Sequence, residues 1–259
     1  MSKTIAITRP VSQSIDQCAL TYMERVTIDV DKAQEEHSAY EECLRQLGLE
    51  IVRLPAAHDL PDAVFVEDTA VVVDEAAVVT RPKLPARQTE VDSMASVLEQ
   101  YRPLEHIEED GTLEGGDVIR IDRVLYVGLS ARTNQEGIRQ LGSILAPYGY
   151  EVRAVPVERC LHLKTAATYI GRNTILANPQ WVDVHLFTDL DAISVAAEEP
   201  EAGNALLVDK TVLLPANFPY TAERLRDRGF TVQEVESNEL QKAESGLTCC
   251  SVIFPEQGK

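Results

Sequence analysis

The sequence predicts an α/β fold assembled from repeated hairpin-and-helix units that close into a ring. Three observations predict it. A strand–turn–strand pattern recurs four times, at 63–82, 113–130, 162–179 and 202–217, and successive copies are offset by roughly 40 to 50 residues, the period of arrays and propellers. Apolar residues at helical spacing fill the intervals between hairpins. The C-terminal L-T-C-C-S-V-I-F resembles a first hairpin strand, and the N-terminal T-I-A-I-T-R-P resembles the second-strand endings V-V-T-R-P and I-L-A-N-P. Pairing of the two chain ends would supply a fifth unit and remove exposed sheet edges.

The elements follow in order. After the N-terminal strand, Tyr40, Cys43, Leu44 and Leu47 fall at i, i+3, i+4, i+7, so 31–48 predicts a helix ended by Gly48. E-I-V-R-L-P (50–55) is a short strand. A-V-F-V-E-D-T-A-V-V-V-D-E-A-A-V-V-T-R-P is the first hairpin, turning at D-E, with a helix over 88–101 behind it. L-E-G-G-D-V-I-R-I-D-R-V-L-Y-V-G-L-S turns at I-D-R. Its helix, 134–149, carries Ile138, Leu141, Leu145 and Tyr148 on one face, and E-V-R-A-V-P (151–156) is the strand that follows. H-L-K-T-A-A-T-Y-I-G-R-N-T-I-L-A-N-P turns at G-R-N, and A-G-N-A-L-L-V-D-K-T-V-L-L-P-A-N turns at D-K; all four turns suit hairpins. A helix over 221–228 and the strand T-V-Q-E-V (231–235) lead to the C-terminal strand. No Gly/Ser linker divides the chain, so 1–259 reads as a single domain.

Composition narrows the function. With 42 acidic and 24 basic residues the net charge is −18, which repels nucleic acid and anionic membranes and favours a cationic small molecule. Acidity that serves solubility alone is the plainer reading. No stretch reaches the roughly 20 apolar residues of a membrane span, and the N-terminus lacks an apolar signal region, so a cytoplasmic protein is expected. The five cysteines, Cys18, Cys43, Cys160, Cys249 and Cys250, are odd in number and lack C-x-x-C spacing, which argues against a disulfide framework or a structural zinc site.

In a ring of repeats, equivalent strand heads converge on the axis. Those positions hold Phe65, Glu67 and Asp68; Glu114, Gly115, Gly116 and Asp117; His162 and Lys164; Asn204; and Cys249. One thiol, one imidazole and several carboxylates would meet there. Carboxylates raise a thiol's pKa, which serves poorly unless the substrate is a cation that stabilises the thiolate. A planar guanidinium fits paired carboxylates, and a histidine can protonate a leaving amine and then deprotonate water. The residues point to cysteine attack on a guanidinium carbon. Each alone has a simpler explanation: a core thiol, a hydrogen-bonded strand histidine, a glycine turn, a vicinal redox disulfide at Cys249–Cys250, or a metal site of Cys249, Cys250 and His162. Their appearance together at matching repeat positions carries the functional reading.

F-V-E-D-T-A, T-L-E-G-G-D-V, G-L-S-A-R-T-N, L-H-L-K-T-A and L-T-C-C-S-V, in this order, resemble the dimethylarginine dimethylaminohydrolase family of the guanidine-modifying, pentein superfamily, over essentially the whole chain. The resemblance implies a five-bladed α/β propeller of pseudo-fivefold ββαβ repeats closed by the terminal strands. It implies hydrolysis of Nω-methylated arginines to citrulline and methylamine or dimethylamine, with no cofactor and no metal. By resemblance Cys249 is the nucleophile, His162 the general acid/base, and Glu114 the residue that orients His162 and holds the guanidinium. Asp68 and Glu67 are substrate carboxylates, Asp62 and Phe65 further substrate contacts, and Arg87 and Arg132 hold the α-carboxylate. Leu20 belongs to a lid that meets substrate through its backbone, and Ala243 stands where a β-branched residue often makes contact. A homodimer is compatible with it. Alternatives are another guanidine-modifying enzyme (arginine deiminase, an amidinotransferase, or a hydrolase of another N-substituted guanidine) and a binding protein that has kept the fold without catalysis.

Overall fold

The computed structural model describes residues 3–257. Among them, fifteen strands pair into five three-stranded sheets of one topology. In each, a hairpin pairs antiparallel and its second strand runs parallel to a third strand reached through a connection. The sheets are Ala70–Val72, Ala77–Val79 and Leu104–His106; Val118–Ile121, Val124–Leu129 and Glu151–Pro156; Ala167–Tyr169, Thr174–Ala177 and Asp191–Ser194; and Leu206–Val208, Thr211–Pro215 and Thr231–Val235. The fifth joins the chain ends: Val252–Pro255 pairs antiparallel with Thr4–Thr8, which runs parallel to Leu49–Arg53. The terminal pairing expected from the repeat pattern is present, with Ile5 opposite Phe254 and Ile7 opposite Val252.

Burial explains the strand sequences. The middle strands, such as Thr4–Thr8, Thr174–Ala177 and Ala77–Val79, are buried on both faces, so they read as continuous apolar runs rather than alternating ones. The third strands lie at sheet edges, and Leu104–His106 and Asp191–Ser194 are mostly exposed. Their charged residues discourage edge pairing. The hairpin turns use left-handed backbone at Asp122, Asp209, Gly171, Arg172 and Asn173, positions where Asp, Asn and Gly carry the least strain.

The helices start and stop where the caps predict. Val30–Gln46 begins at Asp29, whose side chain accepts from the Lys32 amide, and buries Ala33, His37, Tyr40 and Leu44. Gly48, at φ 89°, ends it. Gln135–Leu145 begins at Asn134, which accepts from the Gly137 amide, and buries Ile138, Leu141 and Leu145. These pack on Val71, Val118, Leu125 and Val127, each fully buried leucine contributing about 1.5–3 kcal/mol. Val91–Leu98 and Pro219–Asp227 occupy the other two helical intervals. None of the helices among the described residues is long and apolar enough to cross a membrane.

One local expectation is corrected. The motif residues do not sit on strand heads. Glu67, Asp68, Gly115, Gly116, Asp117 and Cys249 lie on short 3-10 turns, Val66–Thr69, Gly115–Asp117 and Thr248–Cys250, and His162 caps the four-residue helix Leu163–Ala166. Each turn leads into its first strand, and the turns pack against one another. Such close backbone packing requires glycine: a Cβ on Gly115 would fall 1.9 Å from the Glu67 carbonyl oxygen, and one on Gly116 would fall 2.6 Å from His162 Nδ1.

Candidate active site

The imidazole is placed from its backbone outward. Four N–H groups at a helix start lack intrahelical partners. Here Asp117 Oδ1 accepts from the Leu163 amide at 2.8 Å while its other oxygen accepts from Ser130 Oγ at 2.7 Å. Asp117 thereby pins the chain at His162 and leaves the ring free for other work. The ring Nε2 donates to Glu114 Oε2 at 2.8 Å, and Asp68 Oδ1 lies 3.8 Å away. Burial alone would favour neutral imidazole. The charge of Asp68, the hydrogen bond to Glu114 and the charge of Asp117 outweigh it and raise His162 to about 9. Despite burial, Glu114 is held below its ordinary range by the His162 bond. Asp68 falls to about 2, because His162 and Arg87 overcome its burial. The residues at this centre form an ion cluster, not a set of neutral acids.

The thiol is placed by a polar latch. Thr248, preceding Cys249, gives its Oγ1 hydrogen to Glu67 Oε2 at 2.7 Å, and its amide donates to Asn204 Oδ1 at 3.1 Å. The other Glu67 oxygen accepts from Lys164 Nζ at 2.6 Å. Glu67 therefore ties the cysteine turn to the helix that His162 caps. The Gly246 amide donates to Cys249 Sγ at 3.4 Å. Cys249 is 9% exposed, and burial, reinforced by the charges of Glu67 and Asp68, pushes its thiol up to about 12. The charge of Asp68 thus acts on both thiol and imidazole. Cys250 is buried in the core on the same turn, and all five cysteines are free thiols.

The remaining sequence-predicted residues gather around this centre, in positions that refine their expected parts. Phe65 and Ala243 lie in the buried cluster that contains Cys249, and Leu20 packs against it. Both Asp62 oxygens accept from the Ala19 amide at 3.2 Å, next to Leu20. Arg132 Nη1 is 3.6 Å from Glu114 Oε1, and Nη2 donates to Thr21 Oγ1 at 3.2 Å. Arg87 is more committed than the sequence implied. Its Nη1 donates to Asp68 at 2.8 Å, its Nε and Nη2 to Glu90, and its Nη2 also to the carbonyls of Asp62 and Phe65. It braces the 62–68 loop from beneath. Removing one partner of such a buried pair costs about 3–5 kcal/mol.

Sequence reasoning left Glu90 out altogether, and it named Lys164 and Asp117 only as neighbours on the ring. The signal available for both was their position at the repeat heads; for Glu90 there was none. Among the described residues, the three-residue group able to hold a cation is Asp68, Glu114 and His162, whose ligand atoms lie within 4.8 Å of one another; it includes neither Cys249 nor Cys250. Its present partners are the imidazole, bonded to Glu114, and the Arg87 guanidinium, bonded to Asp68. What the arrangement can do is nucleophilic chemistry. It places a buried thiol beside carboxylates suited to a planar cation, with an imidazolium ready to donate a proton.

The chain is similar to known proteins over nearly its whole length. A family model for eukaryotic N,N dimethylarginine dimethylhydrolases matches residues 7–186. The chain is 34% identical to N(G),N(G)-dimethylarginine dimethylaminohydrolase of Pseudomonas aeruginosa, over 98% of this chain and 100% of the relative. It is 36% identical to the Streptomyces coelicolor protein of that name, over 98% of each. A solved structure of Pseudomonas aeruginosa DDAH, a C249S mutant complexed with citrulline, superposes with a TM-score of 0.93 at 35% identity, covering 98% of this chain and 100% of that one. The N-terminal domain of ArgZ, an arginine dihydrolase from cyanobacteria, superposes at 0.88 with 20% identity, over 98% of both chains, and so shares the fold. On the family match and these full-length relatives, the chain belongs to the dimethylarginine dimethylaminohydrolase family.

Proposed function

We propose that this protein hydrolyses Nω-methylated arginines, asymmetric dimethylarginine and monomethylarginine, to citrulline and dimethylamine or methylamine, through a covalent cysteine intermediate. The observation that carries the reading is the joint burial of Cys249, His162, Glu114 and Asp68, with Asp68 bearing on both thiol and imidazole. Full-length similarity to dimethylarginine dimethylaminohydrolases supports it.

The substrate guanidinium lies against Asp68 and Glu114. Its positive charge favours loss of the Cys249 proton to solvent, and the resulting thiolate attacks the guanidinium carbon. His162 gives its proton to the departing amine as the C–N bond breaks, leaving an S-alkylthiouronium. Water then loses a proton to His162 and adds to the same carbon. The C–S bond breaks, the hydroxyl proton of the adduct passes to sulfur, and citrulline leaves with the thiol restored. Arg132, bound to the loop only through Thr21, takes the α-carboxylate. Arg87 joins it on release from Asp68 and otherwise holds Asp68 in place. Asp62, Leu20, Phe65 and Ala243 wall the substrate's aliphatic and amino end, and Glu67 acts on substrate through the turn it anchors. No metal or organic cofactor takes part.

The five sheets of like topology form, in this reading, one five-bladed α/β propeller spanning 1–259, with the motif turns converging on its axis. Every proposed residue comes from one chain, so the reading holds for a monomer and a homodimer alike. Five free thiols suit a reducing compartment and support a cytoplasmic location. A net charge of −18 sets its surface against polyanionic partners.

The test is a substrate panel of dimethylarginine, monomethylarginine, arginine and agmatine, scored for citrulline, dimethylamine and ammonia, with and without a chelator. Methylated arginines should turn over, and Cys249→Ser should abolish citrulline formation. Ammonia released from arginine at a comparable rate, or turnover surviving in Cys249→Ser, would defeat the reading.

A further inference from the structure

Cys249, His162, Glu114 and Asp68 are all buried, so substrate reaches them only if something moves. The segment that flanks Leu20 is the exposed part of the cover. Residues 21–27 are all exposed, with Tyr22, Met23 and Val26 at 48%, 46% and 49%. A stretch that buries so little of itself is not held by apolar contact. It is held by hydrogen bonds: Arg25 donates to the Asp16 and Cys18 carbonyls, Lys242 Nζ donates to the Thr27 carbonyl at 3.2 Å, and the amides nearest Leu20 converge on one side chain. The Thr21 amide donates to Glu244 Oε2 at 2.8 Å, and the Tyr22 and Met23 amides both donate to Oε1. Three successive backbone N–H groups thus close on a single carboxylate, a concave cluster of donors of the kind that holds anions.

Glu244 is also well connected on its own side. It follows Ala243 and stands two residues before Gly246, whose amide donates to Cys249 Sγ. Its backbone is in the left-handed region, at φ 56°, a conformation a non-glycine residue keeps only when its surroundings require it. On the other side of Leu20, Ala19 is held by Asp62, while the Thr21 hydroxyl accepts from Arg132. Leu20 is therefore fixed between two carboxylate anchors, one of which belongs to no residue assigned to the reaction.

We propose that Glu244 is the positioning residue of the lid: by gathering the Thr21, Tyr22 and Met23 amides it holds Leu20 over the Cys249 pocket and sets how long substrate stays there. This rests on the methylarginine reading, in which Leu20 covers the substrate. Opening breaks the three bonds to Glu244 together, and closing re-forms them while bringing Thr21 Oγ1 back to Arg132.

Glu244→Ala removes the acceptor but keeps a Cβ, so the left-handed backbone is no more strained than before. Glu244→Gln keeps one acceptor oxygen without the charge. Amide exchange on the substrate-free protein should rise about tenfold or more at residues 21–23 in Glu244→Ala, and less in Glu244→Gln, matching lost charge-assisted bonds. Exchange across Val30–Gln46 should stay unchanged. KM for dimethylarginine should rise by about fivefold or more while kcat changes less than about threefold, the split expected when retention and not chemistry is lost. Wild-type exchange at 21–23 in Glu244→Ala would overturn the latch. Faster exchange with unchanged KM would overturn its role in retention, and so would a fall in kcat at constant KM. Failure of the wild-type protein to turn over any methylarginine would instead sink the parent reading, and the exchange experiment would still judge the latch.

Discussion

Near pH 7, Cys249 should react with 2-chloroacetamide more slowly than free cysteine does, and the cationic isostere 2-chloroacetamidine should reverse the order. Burial and the charges of Glu67 and Asp68 raise the thiol from its ordinary 9.0 to about 12. At any pH below 9 that shift lowers the thiolate fraction about 1000-fold. The more basic thiolate is intrinsically a better nucleophile, and a Brønsted coefficient of about 0.4–0.5 returns roughly 16- to 30-fold over three units. The net expectation is alkylation by the neutral reagent about 30- to 60-fold slower than for free cysteine. The amidine brings a positive charge into a pocket where carboxylates outnumber cations. One uncompensated carboxylate about 6 Å away, at an effective dielectric near 20, is worth roughly 3 kcal/mol, or about 100-fold. Both reagents have the same shape and leaving group, so restricted access cancels between them. The assay is loss of intact protein mass with time across a pH series, with the label located by peptide mapping and each rate divided by that of free cysteine. The chloroacetamide rate should climb about tenfold per pH unit and show no plateau below pH 9. A plateau at lower pH would refute the buried-thiol argument. Equal normalised rates for the two reagents would refute the claim that substrate charge creates the thiolate.

Two further outcomes follow from the same centre. Glu114→Gln removes the negative charge facing His162 and keeps only one acceptor oxygen, so His162 should fall from about 9 toward its ordinary 6.5. A raised histidine pKa contributes stability that is complete below 6.5 and is lost as pH rises through about 9. The variant should therefore lose stability at neutral pH, and the alkaline limb of its kcat–pH profile should move acidward; an unmoved limb, measured by citrulline formation, would count against Glu114. Arg132→Ala should raise KM for dimethylarginine about 10- to 150-fold, the worth of a bond to a charged group, with little change in kcat. The decarboxylated analogue should be indifferent to the substitution; equal losses on both substrates would remove Arg132 from the carboxylate.

Much of this molecule was written locally. The four hairpins, their left-handed Asp and Gly turns and the helix end at Gly48 all act within a few residues, so their signals survive in the bare chain; the caps at Asp29 and Asn134 are as local but were not singled out. The strands Leu104–His106 and Asp191–Ser194 were not singled out, because short, charged, exposed edge strands carry neither alternation nor an apolar run. The centre was legible through repeat position: Cys249, His162, Glu114 and Asp68 occupy equivalent turns, and periodicity alone aligned them. The expected strand heads became 3-10 turns because glycine at 115 and 116 lets neighbouring backbones approach closer than a side chain permits.

What tertiary structure alone decided is who pairs with whom. Arg87 finds Asp68 at a separation of 19 residues, Lys164 finds Glu67 at 97, and Glu244 reaches the Thr21 amide at 223. Hydrogen bonds and ion pairs of this kind depend on distances of a few ångströms that arise only when separate turns are brought together. The sequence by itself determined which chemical groups the protein owns and roughly where in each repeat they stand. The fold determined that Arg87 braces Asp68, that Glu67 is spent on holding the cysteine turn, and that a carboxylate near the C-terminus closes a loop near the start of the chain.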